Sequence, residues 1–107
     1  FYSDLMLLWK ARVIVAARLT LGTINHTLLT CNFLKSLGIV VLGVILNDTE
    51  GTNDLAAKTN PGMLEKYLDV PLLGIFPHEP DLFQNGIDRA RLADLFAQNI
   101  NHNRLVL

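Results

Sequence analysis

Three uninterrupted apolar segments, at residues 13–17, 39–46 and 71–76, most constrain how this chain can fold. A continuous apolar run, without a polar residue at every second position, is typical of a strand that is covered on both faces, as strands of parallel sheets are. Between the first two runs, residues 23–37 carry apolar side chains at helical spacing, and Gly38 follows as a left-handed helix cap. The alternation of strand and helix predicts an α/β domain with a parallel sheet between helical layers.

The other segments are predicted from shorter signals. Residues 4–10 are typical of the end of a helix, and residues 87–100 predict a final helix. Asn60 and Pro61 are a favourable N-cap and first helical residue, so a helix is expected to begin there and to run to about residue 68, after a polar loop with a helical turn at 54–58.

A parallel sheet of three strands leaves both of its edges open, which is unusual for a complete domain. We therefore expect residues 1–107 to be the C-terminal βαβαβα portion of a single larger α/β domain that lacks its N-terminal half here.

The charge balance restricts the partners. Nine Lys and Arg against ten Asp and Glu give a formal net charge of -1, without the basic excess that nucleic acid or an anionic membrane surface requires. The longest apolar run, residues 39–46, is far shorter than the roughly 20 residues of a membrane span. The single cysteine, Cys31, cannot form an internal disulfide and is compatible with a reducing compartment, and its place among apolar helix positions predicts a buried thiol. Small molecules or further copies of the chain are the expected partners.

Ligands of open parallel sheets bind beyond the carboxyl ends of the strands, and most polar candidates of this chain follow the three predicted strands. The first loop leads into a helix N-terminus, where free N–H groups and the helix dipole favour a carboxylate or phosphate. Gly22 would let a ligand approach the backbone, Thr23 can cap the helix, and Asn25 can donate and accept hydrogen bonds. An ordinary strand-to-helix turn capped by Thr23 is the alternative, and His26 beside it is more typical of a structural or solvated histidine.

The second and third loops begin with Asn47 and Pro77. An amide fixed at a strand end can pair with a purine edge, but it can equally close an Asx turn. His78, Glu79 and the residues after them suit either a turn or ligand contacts. The chain contains neither G-x-x-x-x-G-K-[ST] nor G-x-G-x-x-G, and its three histidines lack the spacing of a metal site, so no metal ligand and no catalytic residue is predicted here.

Three stretches together carry a family resemblance: LGTINHTLLT, LKSLGIVVLGVILND and VPLLGIFPHEPD. In this order and spacing the chain resembles the C-terminal part of the ATP-dependent dethiobiotin synthetases. The resemblance implies a three-layer P-loop NTPase-like domain and a cytoplasmic homodimer. With ATP and Mg²⁺, such an enzyme carboxylates 7,8-diaminononanoate with CO₂ and closes the ureido ring to give dethiobiotin, releasing ADP and phosphate.

The resemblance also implies roles for particular residues. The substrate carboxylate would be bound, across the dimer interface, by Leu21, Gly22, Thr23, Ile24 and Asn25. Asn47 would contact adenine, and Pro77, His78 and Glu79 would line the base. The phosphate loop, the magnesium ligands and the catalytic lysines would lie upstream, so these 107 residues alone are expected to be inactive.

Two other interpretations remain open at this stage. One is a fragment of a ligase of the cobyrinic acid diamide synthase type, and the other is a non-catalytic nucleotide-binding or dimerisation module. Thr20 departs from the Gly or Lys that the synthetases usually carry at this position, so a lysine contact cannot be transferred to it.

Overall fold

A computed structural model describes residues 1–51 and 53–105 of the chain. The described part contains four helices, three strands and two short 3-10 turns: α1 (Tyr2–Trp9), β1 (Arg12–Arg18), α2 (Thr23–Ser36), β2 (Val40–Asn47), α3 (Leu55–Tyr67), β3 (Leu72–Phe76), the 3-10 turn Pro80–Phe83, α4 (Arg89–Asn99) and the 3-10 turn His102–Arg104. None of the helices in this part of the chain is long and apolar enough to cross a membrane.

The strands form a parallel sheet in the order β1-β2-β3. Ala17 of β1 lies opposite Leu46 of β2, and Leu46 lies opposite Ile75 of β3. The three predicted strands and the α/β class are therefore confirmed. Gly38 also has the predicted left-handed conformation after α2, with φ of 76°.

Helices α2 and α3 cover one face of the sheet. Leu19, Leu46 and Leu64 form the centre of the core there, and Ile24 of α2 and Ala57 of α3 pack against them. Leu46 and Leu64 have no exposed surface, and burial of each leucine side chain contributes roughly 1.5–3 kcal/mol. This core holds the starts of both helices close to the carboxyl ends of the strands.

Helix α4 packs on β3 from the opposite face and provides the third layer. After α4 the chain crosses beside β3, where Gly74 and Ile100 form an antiparallel bridge and the N–H of Asn101 donates to the carbonyl of Leu73 at 2.7 Å. The end of α4 is thereby attached to the sheet.

The expectation that the first strand is covered on both faces is wrong for the described residues. Side chains of β1 alternate between half-buried and exposed, and Ile14 remains 39% exposed. The reason is the position of β1 at the edge of the sheet: α2 covers one of its faces, whereas α4 lies over β3 at the other side of the sheet.

The start predicted for the third helix is also wrong. Helix α3 begins at Leu55, where the Asp54 carboxylate accepts a hydrogen bond of 2.9 Å from the N–H of Ala57 as an N-cap. Pro61 lies inside the helix, and Asn60 points inward with only 6% of its surface exposed. An internal proline costs about 3 kcal/mol, and the burial of Ala57 and Leu64 on either side of Pro61 offsets that cost.

Candidate functional site

The carboxyl ends of the three strands meet at one edge of the sheet. Arg18, Asn47 and Phe76, the last residues of β1, β2 and β3, lie next to one another in register. The three loops that the sequence selected as candidates therefore begin side by side. Two cavities open at this edge: one lies on the α4 face of the sheet, and the other lies along the edge strand β1, beside the start of α2.

The first cavity, which we call the strand-end pocket, lies between the sheet and α4. It contains all four residues predicted to bind the nucleotide: Asn47, Pro77, His78 and Glu79. Ile45, Phe76 and Phe96 supply apolar wall around them. A largely apolar pocket with one amide group at its edge suits a flat heterocycle, which the walls contact and the amide orients.

The loop after β2 is held by Asp48. Its carboxylate accepts hydrogen bonds from the N–H groups of Gly51 at 2.8 Å and Glu50 at 3.4 Å. The Asx turn considered for Asn47 is thus formed by Asp48. The side chain of Asn47 makes no hydrogen bond within residues 1–51 and 53–105, so its amide is available to a ligand. Thr52 of this loop lies outside the described residues.

The second and third loops touch at Gly51 and His78. Gly51 has φ of 68°, and a Cβ atom on it would come within 2.6 Å of Cδ2 of His78. Only glycine combines this backbone conformation with such a close approach. The position of His78 in the pocket therefore depends on Gly51.

Glu79 is tied to α4 by an ion pair. Nη2 of Arg91 donates to Oε2 of Glu79 at 3.0 Å, and this hydrogen bond and charge raise the pKa of Arg91. The Glu79 side chain is 27% exposed. It therefore lies at the pocket with its charge already balanced.

The second cavity, the α2 cavity, lies between β1 and the start of α2. Leu21, Gly22 and Thr23 line it, as predicted for a site at this helix N-terminus, whereas Ile24 packs into the core and Asn25 is exposed outside the cavity lining. The prediction that Thr23 caps the helix is wrong. Gly22 is the N-cap, and the hydroxyl of Thr23 instead donates to the carbonyl of Arg18, because Thr23 is already inside the first turn with its side chain against β1.

Several residues of the two cavities were not selected from the sequence. His26, Thr27 and Thr30 follow Thr23 at helical spacing and line the α2 cavity, and the hydroxyl of the 2% exposed Thr27 has no hydrogen-bond partner in the described part of the chain. The spacing of these polar side chains was the signal that could have found them. Phe83 and Phe96 of the strand-end pocket had no such signal, because a pocket aromatic and a core aromatic look alike in sequence.

Other candidate groups do not form a site. Cys31 is buried with 4% exposure, as predicted, and burial is the main cause that raises the pKa of its thiol, followed by the charge of Asp69. In the described ranges no group of three or more His, Cys, Asp and Glu is placed to hold a metal ion.

A parallel sheet between two helical layers, with its cavities at the carboxyl ends of the strands, defines an open α/β ligand-binding domain. Residues 1–85 match the family described as AAA domain. The chain belongs to this family, and the P-loop NTPase-like fold class expected from the sequence is confirmed.

Curated relatives support the same resemblance. An ATP-dependent dethiobiotin synthetase of Thermodesulfovibrio yellowstonii is 48% identical over 88 residues, covering 81% of this chain and 37% of the relative. The protein of the same name from Bacillus licheniformis is 42% identical over 81 residues, with 76% and 34% covered, and that of Aquifex aeolicus is 38% identical over 84 residues, with 78% and 36% covered. The resemblance to dethiobiotin synthetases is confirmed, and the chain spans about a third of the length of these relatives.

Proposed function

We propose that the protein carrying this chain is an ATP-dependent dethiobiotin synthetase. It would carboxylate 7,8-diaminononanoate with CO₂ and close the ureido ring of dethiobiotin, with ATP converted to ADP and phosphate. The observation that carries this proposal is the 42–48% identity to proteins of that name over three-quarters or more of the chain.

In this proposal the strand-end pocket binds the adenine base. The amide of Asn47 would donate to and accept from the edge of the base, as an amide can with N6 and N7 of adenine. Phe76 and Pro77 would contact the faces of the ring, and His78 and Glu79 would close the pocket. The free amide of Asn47 within a mainly apolar pocket supports this assignment.

The substrate carboxylate is assigned to the N-terminus of α2. The backbone around Leu21, Gly22, Thr23 and Ile24, with the amide of Asn25, would donate to its oxygens, since the first N–H groups of a helix lack partners within the helix. We propose that the substrate belongs to the neighbouring subunit of a homodimer. Exposed Asn25, Leu29 and Phe33, one helical turn apart on α2, support such an interface: Leu29 is 61% and Phe33 54% exposed.

We further propose that residues 1–107 form the C-terminal part of one larger α/β domain of a cytoplasmic protein. The open edge of β1 and the exposed side chains of α1, among them Trp9 at 69%, support this arrangement. The P-loop and the catalytic lysines would be supplied by the remainder of that domain. Because the described residues provide no metal-binding cluster, the ligands of Mg²⁺ are assigned to that remainder too, and no step is assigned here to the metal.

On this proposal the residues of this chain bind and orient. Asn47 and the strand-end pocket would hold the nucleotide of their own subunit, and the α2 N-terminus would hold the far end of the diamine that is bound to the neighbouring subunit. In each site of the dimer, the two amines of the substrate would thus be kept close to the phosphates, where the carbamate formed from CO₂ can be activated by phosphoryl transfer. These residues would accelerate the reaction by positioning the two reactants, because reactants held in place lose less entropy on the way to the transition state.

A complementation experiment tests the function. A biotin-auxotrophic strain lacking its dethiobiotin synthetase should grow without biotin when it carries the full-length gene, and should not grow with residues 1–107 alone. Absence of growth with the full-length gene, together with absence of dethiobiotin formation by the purified protein, would contradict the proposal.

Kinetics of single variants test the two assignments. Asn25→Ala should raise KM for 7,8-diaminononanoate and leave KM for ATP little changed. Asn47→Ala should raise KM for ATP and leave KM for the diamine little changed. Asn32→Ala, at an exposed position two turns after Asn25 on α2, is the matched control and should change neither. An unchanged KM for the diamine in Asn25→Ala would overturn the carboxylate assignment while leaving the function intact.

A further inference from the structure

Arg18 occupies a position between the two cavities. It is the last residue of β1 and lies in register with Asn47, the last residue of β2. It lines the α2 cavity, and Ala16, two residues before it, lines both cavities. A positive charge is therefore placed beside the strand-end pocket on the β1 side.

The side chain of Arg18 extends from the same face of the sheet as that of Asn47. Side chains alternate along a strand, and Ala17 packs into the core on the α2 and α3 face, so Arg18 is directed to the opposite face. Adjacent strands lie about 4.8 Å apart, well within the reach of an arginine side chain. A ligand that contacts the Asn47 amide therefore lies within reach of the guanidinium.

The acidic side chains at the strand-end pocket have hydrogen-bond or ion-pair partners, whereas the nearby Arg18 has no ion-pair partner in the described part of the chain. The acidic residues that line the pocket both have partners, since Asp48 accepts from the N–H groups of Glu50 and Gly51, and Glu79 is paired with Arg91. Arg18 is exposed and makes no ion pair within the described residues. An unpaired guanidinium binds phosphate oxygens well, because its N–H donors match their geometry.

The shape of the pocket indicates which end of a nucleotide would meet this charge. Leu92 and Phe96 of α4 line the pocket on the β3 side, whereas Ala16 of the edge strand lines it on the β1 side. A base held against Asn47 and Phe76 would therefore have its phosphates directed along the sheet edge toward β1, where Arg18 lies.

We propose that Arg18 binds the phosphate groups of the nucleotide whose base occupies the strand-end pocket, as a positioning residue of the nucleotide site. This inference rests on the proposed function and adds a residue from this chain to the phosphate contacts expected from elsewhere in the domain.

Binding of ADP and of adenosine to the full-length protein, measured by calorimetry, tests the inference. Arg18→Gln should weaken ADP binding about tenfold, the loss of a charge-assisted hydrogen bond, and should leave adenosine binding within about twofold. Arg18→Lys should recover part of the loss, because the charge is kept and the fork of donors is lost. Lys10→Gln removes a positive charge near the opposite end of β1 and should change neither affinity.

Three results would overturn the inference. The first is that Arg18→Gln leaves ADP binding unaffected, and the second is that it weakens the binding of ADP and of adenosine equally; either would exclude a phosphate contact. The third is that the variant weakens only the binding of 7,8-diaminononanoate, which would assign Arg18 to the substrate carboxylate instead. These outcomes leave the proposed function standing. If the wild-type protein bound neither ADP nor adenosine, the nucleotide site itself would be refuted, and Arg18 with it.

Discussion

The side-chain amide of Asn60 donates a hydrogen bond of 2.8 Å to the backbone carbonyl of Thr20, across a sequence separation of 40 residues. Asn60 is 6% exposed and lies within α3, whereas Thr20 lies in the loop that enters α2. Helix α3 therefore holds the backbone that lines the α2 cavity.

Removal of this hydrogen bond should affect both stability and substrate binding. Asn60→Ala removes the shorter of the two hydrogen bonds to the carbonyl of Thr20 and leaves it only the N–H of Thr23 at 3.3 Å, so we expect a loss of about 1 kcal/mol in the free energy of unfolding. KM for the diamine should rise, because the loop before α2 loses its support. Thr59→Ala, which removes only a local exposed bond to Leu55, is the control and should leave KM unchanged. Equal effects of the two variants on KM would contradict the role of Asn60.

Substitution of Thr23 and of Thr27 by valine should change stability in opposite directions, although the two residues lie one turn apart on α2. The hydroxyl of Thr23 donates to the carbonyl of Arg18, whereas that of Thr27 is buried without a partner in the described part of the chain. Thr27→Val should therefore stabilise the protein by about 1 kcal/mol and Thr23→Val should destabilise it by a similar amount, as measured by urea unfolding. Loss of stability in Thr27→Val would show that a ligand or another segment of the protein binds this hydroxyl.

Gly51 should control nucleotide binding through His78. Gly51→Ala places a Cβ atom within 2.6 Å of His78 and displaces the imidazole from the pocket wall, so we expect weaker ADP binding. Gly86→Ala is the matched control, because Gly86 also has a positive φ, 87°, but has open space around its Cβ position. Both variants should lose about 1–2 kcal/mol of stability through backbone strain, and only Gly51→Ala should change the affinity for ADP. Equal affinities would refute the link between the two loops.

Gly74 should tolerate no side chain. Its φ is 148°, and a Cβ atom would lie 2.1 Å from the carbonyl oxygen of Asn99, where α4 ends against β3. Gly74→Ala must displace backbone, and we expect a loss of about 3 kcal/mol or more. Gly62→Ala, inside α3 with nothing within 4 Å, should instead raise stability by about 0.5–1 kcal/mol. Similar thermal denaturation midpoints for both variants would contradict the attachment of α4 at Gly74.

Asp69 should make stability depend on pH in the acid range. The hydrogen bond from Lys35, and then its charge, lower the pKa of Asp69 from its ordinary 3.8. A lowered pKa in the folded state stabilises the fold above the ordinary value, and this stabilisation is lost as the pH falls through the lowered pKa. The free energy of unfolding, measured with urea across that range, should therefore decrease less steeply toward low pH in Asp69→Asn and in Lys35→Gln than in the wild type. Asp94→Asn, at an exposed position on α4, should keep the pH dependence of the wild type. Because both partners are exposed, the effect should also shrink at high salt.

Local signals in the chain were sufficient for the elements and their order. The three apolar runs, the helical spacing after residue 22 and Gly38 predicted β1, α2, β2 and β3 within about two residues. They succeeded because apolar periodicity and a left-handed cap are properties of neighbouring residues. The alternation of these elements then required a parallel sheet, and with it a shared edge for Asn47 and Pro77.

The same local reasoning failed where distant residues decide. Asn60 and Pro61 are favourable residues for a helix start when only their neighbours are considered. Helix α3 nevertheless begins at Leu55, because Ala57 and Leu64 both pack in the core when the helix includes this earlier turn. Thr23 is a good N-cap in isolation, yet its hydroxyl meets the carbonyl of Arg18.

The sequence by itself determined the strands, the order of the helices, the sheet edge at which the three candidate loops meet and the family, because each depends on the side-chain pattern along the chain. Tertiary structure alone decided that Asn60 supports Thr20, that His78 rests on Gly51, and that Arg18 stands beside Asn47. Those relationships depend on strand register and on packing between loops far apart in sequence. A shift of one residue in the register moves every side chain of a strand to the other face of the sheet, and one added Cβ atom is enough to disturb a close contact between loops.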